Sequence, residues 1–193
     1  MKYFIGFLVV VLLAGGVYFG FKIGKNDSTN TTGTTSTTTT TKPAPNSNIL
    51  DLSNKGMTKV TSDVYGKTST TELILSNNSI QSLPSEMGKM TKVVVFKIDH
   101  NRLDGSLIGE IRQMSQLKIL DVSYNNMTGM PAEIGQLSKL ETLNYSHNNI
   151  TGLPNELGNL KNNLKTFDLT GNPLSQDTIN KLRASLPNTN IIF

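Results

Sequence analysis

The chain has 193 residues and a formal net charge of +4, with 18 Lys and Arg against 14 Asp and Glu. It contains no Cys, which excludes disulfide bonds, Cys-ligated zinc and thiol catalysis. Residues 48–193 hold 14 of the basic and 13 of the acidic residues, so most of the positive excess precedes them. The sequence therefore shows no concentrated basic stripe, and nucleic acid is not a predicted partner.

The start of the chain, residues 1–25, is mostly apolar. The stretch 3–21 carries no charged side chain and lies between Lys2 and Lys22. At about 1.5 Å per residue, a helix of this length spans a hydrocarbon core of about 30 Å. Residues 1–25 are therefore predicted to be a transmembrane anchor. A signal sequence cleaved near Ala14 is the open alternative, although its apolar core is usually shorter.

Three glycines recur at every fourth position in this part of the chain, namely Gly16, Gly20 and Gly24. This spacing lets two membrane helices approach closely, so a weak homodimer through these glycines is one interpretation. Glycine is also common in membrane helices that make no such contact.

Residues 26–47 are rich in Thr, Asn and Ser and offer almost nothing apolar to bury. Such a segment cannot offset the entropy cost of ordering, so it is predicted to be a disordered stalk. A long uncharged Thr-rich tract is typical of an external spacer. We therefore expect a single-pass protein of the cell membrane whose remaining residues lie on the extracytoplasmic side.

From residue 48 onward, one apolar pattern recurs with a nearly constant spacing. One copy covers residues 73–84 (LILSNNSIQSLP), and later copies begin at Leu120 and Leu143. Alternating leucines lie on one face of a short strand. A single unit has too little core to fold alone, so neighbouring units must stack.

The pattern resembles the leucine-rich-repeat family, in the variety L-x-x-L-x-L-x-x-N-x-L-x-x-L-P, over residues 49–193. The third copy departs from it, with one extra residue before Leu107, where we expect a local bulge. The resemblance implies an α/β repeat solenoid of about six repeats in residues 48–193. It would be a curved horseshoe segment with a short parallel β-sheet on its concave face.

The asparagine of each repeat is predicted to be structural, because its amide can both donate to and accept from the backbone groups that a turn leaves unpaired. This ladder comprises Asn78, Asn101, Asn125, Asn148 and Asn172, with Lys55 at the corresponding position of the first copy. Residues 173–193 are predicted to be a C-terminal cap. Its helix runs from Gln176 to Leu186, after Ser175 as N-cap, and a last strand follows.

Residues between the leucines point out of the predicted sheet, and stacking arranges them in columns about 4.8 Å apart. One column places three ring side chains side by side at the centre of the concave face. These rings and the polar residues beside them are the candidate partner-binding residues, which are Lys97, Asp99, His100, Asp121, Tyr124, Asn144 and His147. Aromatic and mixed polar groups on a rigid surface suit a protein partner or a glycan, and ordinary solvated surface is the alternative.

No catalytic residues, cofactor or metal are predicted. His100 and His147 lie two strands apart, about 10 Å, too far to share one zinc ion. The sequence shows no Gly-rich phosphate loop and no nucleophile with a supporting base, which argues against an enzyme.

The resemblance implies protein binding as the usual role. The leading hypothesis is a membrane-anchored protein, bacterial by resemblance, that recognises a protein partner at the cell surface through its concave sheet. Two alternatives remain open. One is a structural or assembly protein of the cell envelope without a specific ligand, and the other is a regulatory subunit of a membrane signalling complex.

Overall fold

The computed structural model describes residues 48–193. The predicted anchor at 3–21, the glycines Gly16, Gly20 and Gly24, and the stalk at 26–47 lie outside the described residues. Within residues 48–193, no helix is long and apolar enough to cross a membrane.

Seven short strands form one parallel sheet in the order β1-β2-β3-β5-β7-β8-β9. Their bounds are β1 Ile49–Asp51, β2 Glu72–Ile74, β3 Val95–Lys97, β5 Ile119–Asp121, β7 Thr142–Asn144, β8 Thr166–Asp168 and β9 Asn190–Ile192. The central residue of every strand pairs with the central residue of the next, as Leu73 does with Phe96. Each repeat thus adds one strand in the same register, which confirms the predicted α/β solenoid with a parallel sheet.

The third and fourth repeats also form a second, two-stranded parallel sheet. It consists of β4 (Asp104–Gly105) and β6 (Asn126–Met127). Gly105 has a φ of +68°, a conformation that glycine adopts without a steric cost. The extra residue of the third copy therefore lies where the chain makes an additional pairing on its way back.

Four 3₁₀ helices return the chain to the start of the next strand. They are Ser85–Lys89, Gly109–Gln113, Ala132–Gln136 and Asn155–Leu160. Pro84, Pro131 and Pro154 precede three of them in extended conformation, where the fixed φ of proline costs nothing. Gly135 allows the last two to pack closely, because a Cβ there would lie 2.2 Å from the carbonyl oxygen of Glu156.

The two ends of the solenoid are covered by α-helices. The first repeat returns through α1 (Ser62–Tyr65), which buries Val64. The last repeat returns through α2 (Gln176–Ser185), whose N-cap Ser175 accepts a hydrogen bond from the backbone N–H of Thr178. The helix predicted from Gln176 to Leu186 therefore ends one residue earlier than expected, and Leu186 is buried after it.

The asparagine ladder ties each repeat to the one before it. Oδ1 of Asn125 accepts a hydrogen bond from the N–H of Leu103 at 2.9 Å, and its Nδ2 donates to the carbonyls of Ile98 and Val122, both at 3.1 Å. Equivalent bonds are made by Asn78, Asn101, Asn148 and Asn172. Lys55 takes part only through its backbone N–H, which donates to Asn78.

Candidate functional site

The open face of the sheet is the face on which the first and third residues of each strand lie, half-buried or exposed, while the second residue is buried in β2, β3, β5, β7 and β8. One further column stands three residues beyond each strand, where the chain turns away. It consists of Asn54, Asn77, His100, Tyr124, His147 and Gly171. All six residues have a left-handed backbone conformation, with φ of +52° to +58° for the first five and +75° for Gly171.

A left-handed φ has a steric cost for residues with a Cβ. It is about 1–2 kcal/mol per residue, although asparagine visits this region more readily than most, and glycine has no such cost. Asn54, Asn77 and Gly171 therefore suit the position by their chemistry. Histidine is also found there more often than most residues, so Tyr124 is the one of the three ring residues in the middle repeats that suits the position least.

Those three rings form a continuous stack across β3, β5 and β7, which we call the ring stack (His100, Tyr124 and His147). The ring centroids of His100 and Tyr124 are 4.3 Å apart with an interplanar angle of 14°, and those of Tyr124 and His147 are 4.2 Å apart at 20°. Tyr124 is 46% exposed. Stacked pairs contribute about 0.5–1.5 kcal/mol each, which offsets part of the backbone strain.

Both ends of the ring stack are supported by neighbouring residues. At one end, a Cβ on Gly171 would lie 2.9 Å from Nδ1 of His147, so the absence of a side chain there leaves room for the imidazole. At the other end, Nδ1 of His100 donates to Oδ2 of Asp99 at 2.9 Å, because a carboxylate can only accept. This contact fixes the orientation of the exposed His100 ring.

The stacking determines which atoms of the three rings are accessible to a partner. Both faces of the Tyr124 ring are covered by histidines, so ring edges and polar tips point outward. A sugar ring that lies flat on an aromatic face finds no such face at the centre of the stack. Hydrogen-bonding groups and apolar edges suit a polypeptide surface better, since Tyr combines both in protein interfaces.

The polar residues predicted beside the rings lie on the open face, and most of them also form hydrogen bonds that stabilise the turns after the strands. Asp99 accepts a hydrogen bond from the Ser76 hydroxyl as well as from His100. Asp121 accepts from the backbone and hydroxyl of Ser123 and from Nδ2 of Asn144, at 3.2 Å. These contacts fix the carboxylates and leave them lone pairs for a partner.

Lys97 is half-buried in β3, and its register neighbour in β5 is Asp121. None of the ion pairs found within residues 48–193 includes it. Its ammonium therefore remains available on the open face.

An apolar patch on the open face escaped the sequence reasoning. The first residues of three strands, Ile49, Val95 and Ile119, belong to one column, in which Glu72 lies between Ile49 and Val95. Ile49 is 43% exposed and the other two are half-buried. These residues precede the central apolar residue of their strands, so the columns predicted between the leucines do not include them.

Within residues 48–193, no three His, Cys, Asp or Glu side chains gather as a group that would hold a metal ion.

The chain matches the family described as "Leucine rich repeat" over residues 115–174, and a second match of that description covers residues 69–90. A stretch of 57 residues is 37% identical to the adenylate cyclase of Neurospora crassa. That stretch is 30% of this chain and only 2% of the cyclase, so it carries no argument for cyclase activity.

Solved structures of repeat proteins are similar to this chain over most of its length. A leucine-rich-repeat protein of Leptospira interrogans is 28% identical with a TM-score of 0.57, and the match covers 71% of this chain and 40% of that one. The ectodomain of a plant membrane receptor kinase from Arabidopsis thaliana, in complex with Casparian strip integrity factor 2, is 29% identical with a TM-score of 0.61 and coverage of 74% and 17%.

The Arabidopsis receptor kinase HAESA, in complex with a peptide hormone and a co-receptor, is 28% identical with a TM-score of 0.64. The match covers 75% of this chain and 25% of HAESA. This chain therefore spans less than half of each of these three structures.

Proposed function

Because its repeats make this chain a leucine-rich-repeat protein, we propose that it binds a protein or peptide on the open face, centred on the ring stack. The fold builds an extended surface for binding, and the chain acts as a recognition module and not as an enzyme. One observation carries the proposal. Three large rings stand exposed in a left-handed column, where the backbone conformation costs stability for Tyr124 above all.

The steric cost of the left-handed conformation is not offset by burial of these side chains in the core. Asn54, Asn77 and Gly171 occupy the same position in other repeats at a lower steric cost. His100, Tyr124 and His147 are exposed, so they add no buried apolar surface that would offset the strain. Strain retained at an exposed site is a reason to suspect function. Tyrosine is also among the residues that most often dominate binding energy in protein interfaces.

The similar structures support a polypeptide partner. Two of them are receptor kinases, one of them as its ectodomain, in complex with a peptide hormone or with Casparian strip integrity factor 2. Val95 and Ile119, which are neighbours at the start of β3 and β5, add apolar surface on the same open face, at the opposite end of the strands from the ring stack.

The decisive experiment uses asparagine, the residue that other repeats of this chain have at the same position. The full-length triple variant His100→Asn, Tyr124→Asn and His147→Asn should keep its melting temperature and lose capture of the partner from the native envelope fraction. The matched control replaces three exposed polar residues that follow the asparagine ladder in the chain, Gln81→Ala, Asn126→Ala and Asn149→Ala. Equal capture by both variants would place the site elsewhere.

We further propose that residues 3–21 anchor the chain in the cell membrane, with the repeats on the extracytoplasmic side. The support is the uncharged apolar run at 3–21 and the Thr-rich stretch that follows it. Protease added to intact cells should digest the stalk and release the repeats. A repeat domain that stays attached and protected would overturn this orientation, and release of the whole chain by alkaline carbonate would overturn the anchor.

A further inference from the structure

Folding gathers lysines that lie far apart in the sequence. The six residues before β2, β3, β5, β7 and β8 are the stretches 66–71, 89–94, 113–118, 136–141 and 160–165. Together they contain seven Lys and one acidic residue, Glu141, whereas the rest of residues 48–193 has seven basic and 12 acidic residues. The nearly neutral domain therefore divides into one strongly basic part and a remainder with an acidic excess.

The five stretches line one edge of the sheet, which we call the basic edge. Their last residues continue the parallel ladder: the N–H of Lys118 donates to the carbonyl of Val94, that of Glu141 to Lys118 and that of Lys165 to Glu141, each at 2.8 Å. All seven lysines are exposed, namely Lys67, Lys89, Lys92, Lys118, Lys139, Lys161 and Lys165. At about 4.8 Å per strand, the basic edge is about 20 Å long.

A shallow groove of about 470 Å³ lies at the C-terminal end of this edge. It is lined by Lys118, Lys139, Lys165 and Glu141 together with Ser138, Asn162 and Asn163. Glu141 pairs with Lys165 and with Lys118, the latter at 3.1 Å, and these hydrogen bonds hold the pKa of its carboxyl below the usual range. The groove thus combines an excess of ammonium groups with neutral amide and hydroxyl groups.

We propose that the basic edge binds a linear anionic polysaccharide, with one segment of the polymer seated in this groove. The row of ammonium groups matches charges repeated along a chain, and the side chains of Asn162 and Ser138 match sugar hydroxyls, while the amide nitrogen of Asn163 donates to the Ser138 carbonyl. Lysine without arginine favours a diffuse polyanion over bidentate recognition of a single phosphate or carboxylate.

The composition of the edge argues against two other polyanionic partners. The five stretches contain no aromatic residue, so single-stranded nucleic acid finds no stacking platform. Their apolar side chains are buried or half-buried, as Leu117 and Val94 are, so nothing on this edge inserts into a lipid surface.

The basic edge lies at the amino ends of the strands and the ring stack beyond their carboxyl ends, so the two sites are independent.

The test titrates full-length protein in detergent micelles with fluorescent heparin, a sulfated polymer, and with polygalacturonate, a carboxylated one, at several salt concentrations. Lys118→Gln, Lys139→Gln and Lys165→Gln together should lower affinity at least tenfold and flatten the salt dependence. The matched control, Lys55→Gln, Lys59→Gln and Lys181→Gln, removes the same charge from exposed sites elsewhere and should change affinity less than twofold. Melting curves establish that each variant is folded.

Glu141→Gln provides a gain-of-function test, because it removes the one acidic residue of the edge and frees two lysines. Its affinity for whichever polymer binds should rise two- to fivefold. The proposal is overturned if wild type binds neither polymer, if both lysine triples lose affinity equally, or if oligo-dT or phosphatidylglycerol vesicles bind more tightly than either polysaccharide.

Discussion

Two columns of side chains occupy consecutive positions in the chain and have opposite environments. In each of the three middle repeats, a residue of the ring stack is followed directly by a residue of the asparagine ladder, as Tyr124 is followed by Asn125. Tyr124 is 46% exposed and Asn125 is 7% exposed. The left-handed φ of the ring residue turns the backbone so that the ring points out to solvent and the side-chain amide of the next residue points into the core.

Stability and recognition therefore depend on two different residues that are adjacent in each of these repeats. The amide satisfies backbone groups of two repeats, so its loss should unfold the protein. The ring satisfies nothing inside, so its loss should leave the fold intact and remove a contact for a partner.

Asn125→Ala should cause the largest loss of stability. It leaves the N–H of Leu103 without its acceptor, whereas the carbonyls of Ile98 and Val122 lose one of two amide donors and keep those of Asn101 and Asn148. A buried polar group without a partner costs about 1–3 kcal/mol, so the free energy of unfolding should fall by about 2 kcal/mol. Urea titration measures this. The exposed neighbour Asn126→Ala is the control, and similar losses for both would contradict the ladder's role.

The buried Tyr145 extends the comparison to pH. Burial raises the pKa of Tyr145 well above its ordinary value, because its hydroxyl is wholly buried. Above about pH 10 the unfolded chain ionises this group and the folded protein does not, so stability falls as pH rises. The share of Tyr145 is about 1.4 kcal/mol per pH unit.

Denaturant titrations between pH 9 and pH 11 measure that slope. Tyr145→Phe should remove its share of the alkaline loss. Parallel pH profiles for wild type and Tyr145→Phe would show that the hydroxyl ionises equally in both states.

At neutral pH, Tyr145→Phe should stabilise the protein by about 1 kcal/mol. Among the described residues the Tyr145 hydroxyl has no hydrogen-bond partner, and removing an unpaired buried polar group recovers its desolvation penalty. Thermal unfolding measures the change. A lower melting temperature in the phenylalanine variant would mean that the hydroxyl is bonded after all.

Tyr124→Asn should have the smallest effect on stability, within about 0.5 kcal/mol of wild type, because relief of backbone strain offsets the lost stacking. Its partner affinity should fall at least tenfold. Tyr124→Val is the contrasting variant. A β-branched residue at φ of +52° is a steric outlier, so this variant should unfold more easily than Tyr124→Asn. Equal stability of the two would show that the backbone at this position is unstrained.

The fold followed from the sequence because the phased leucines determine the register of stacked strands. Leu73 and Leu120 sit at the centre of their strands as the pattern requires. The second sheet did not follow, since a two-residue pairing such as Asp104–Gly105 leaves no periodic pattern in the sequence.

For the candidate site, the columns placed the three rings side by side, because strand register depends on repeat spacing alone. The backbone conformation of the column was not anticipated, although Asn77 and Gly171 at the same position are residues that favour a left-handed φ. The basic edge was invisible for a different reason. Its lysines, such as Lys118 and Lys139, are about one repeat apart, so they form no run in the sequence.

The left-handed position also limits the chemical variety that this surface can acquire over evolution. Val, Ile and Thr are nearly excluded there, whereas Gly, Asn, Asp and His are accepted at low cost. The left-handed position of each of the six repeats is therefore restricted to a few residue types with a ring or a small polar group. New specificity at this column arises by exchanging a ring for an amide or back again, a change that leaves the scaffold beneath untouched.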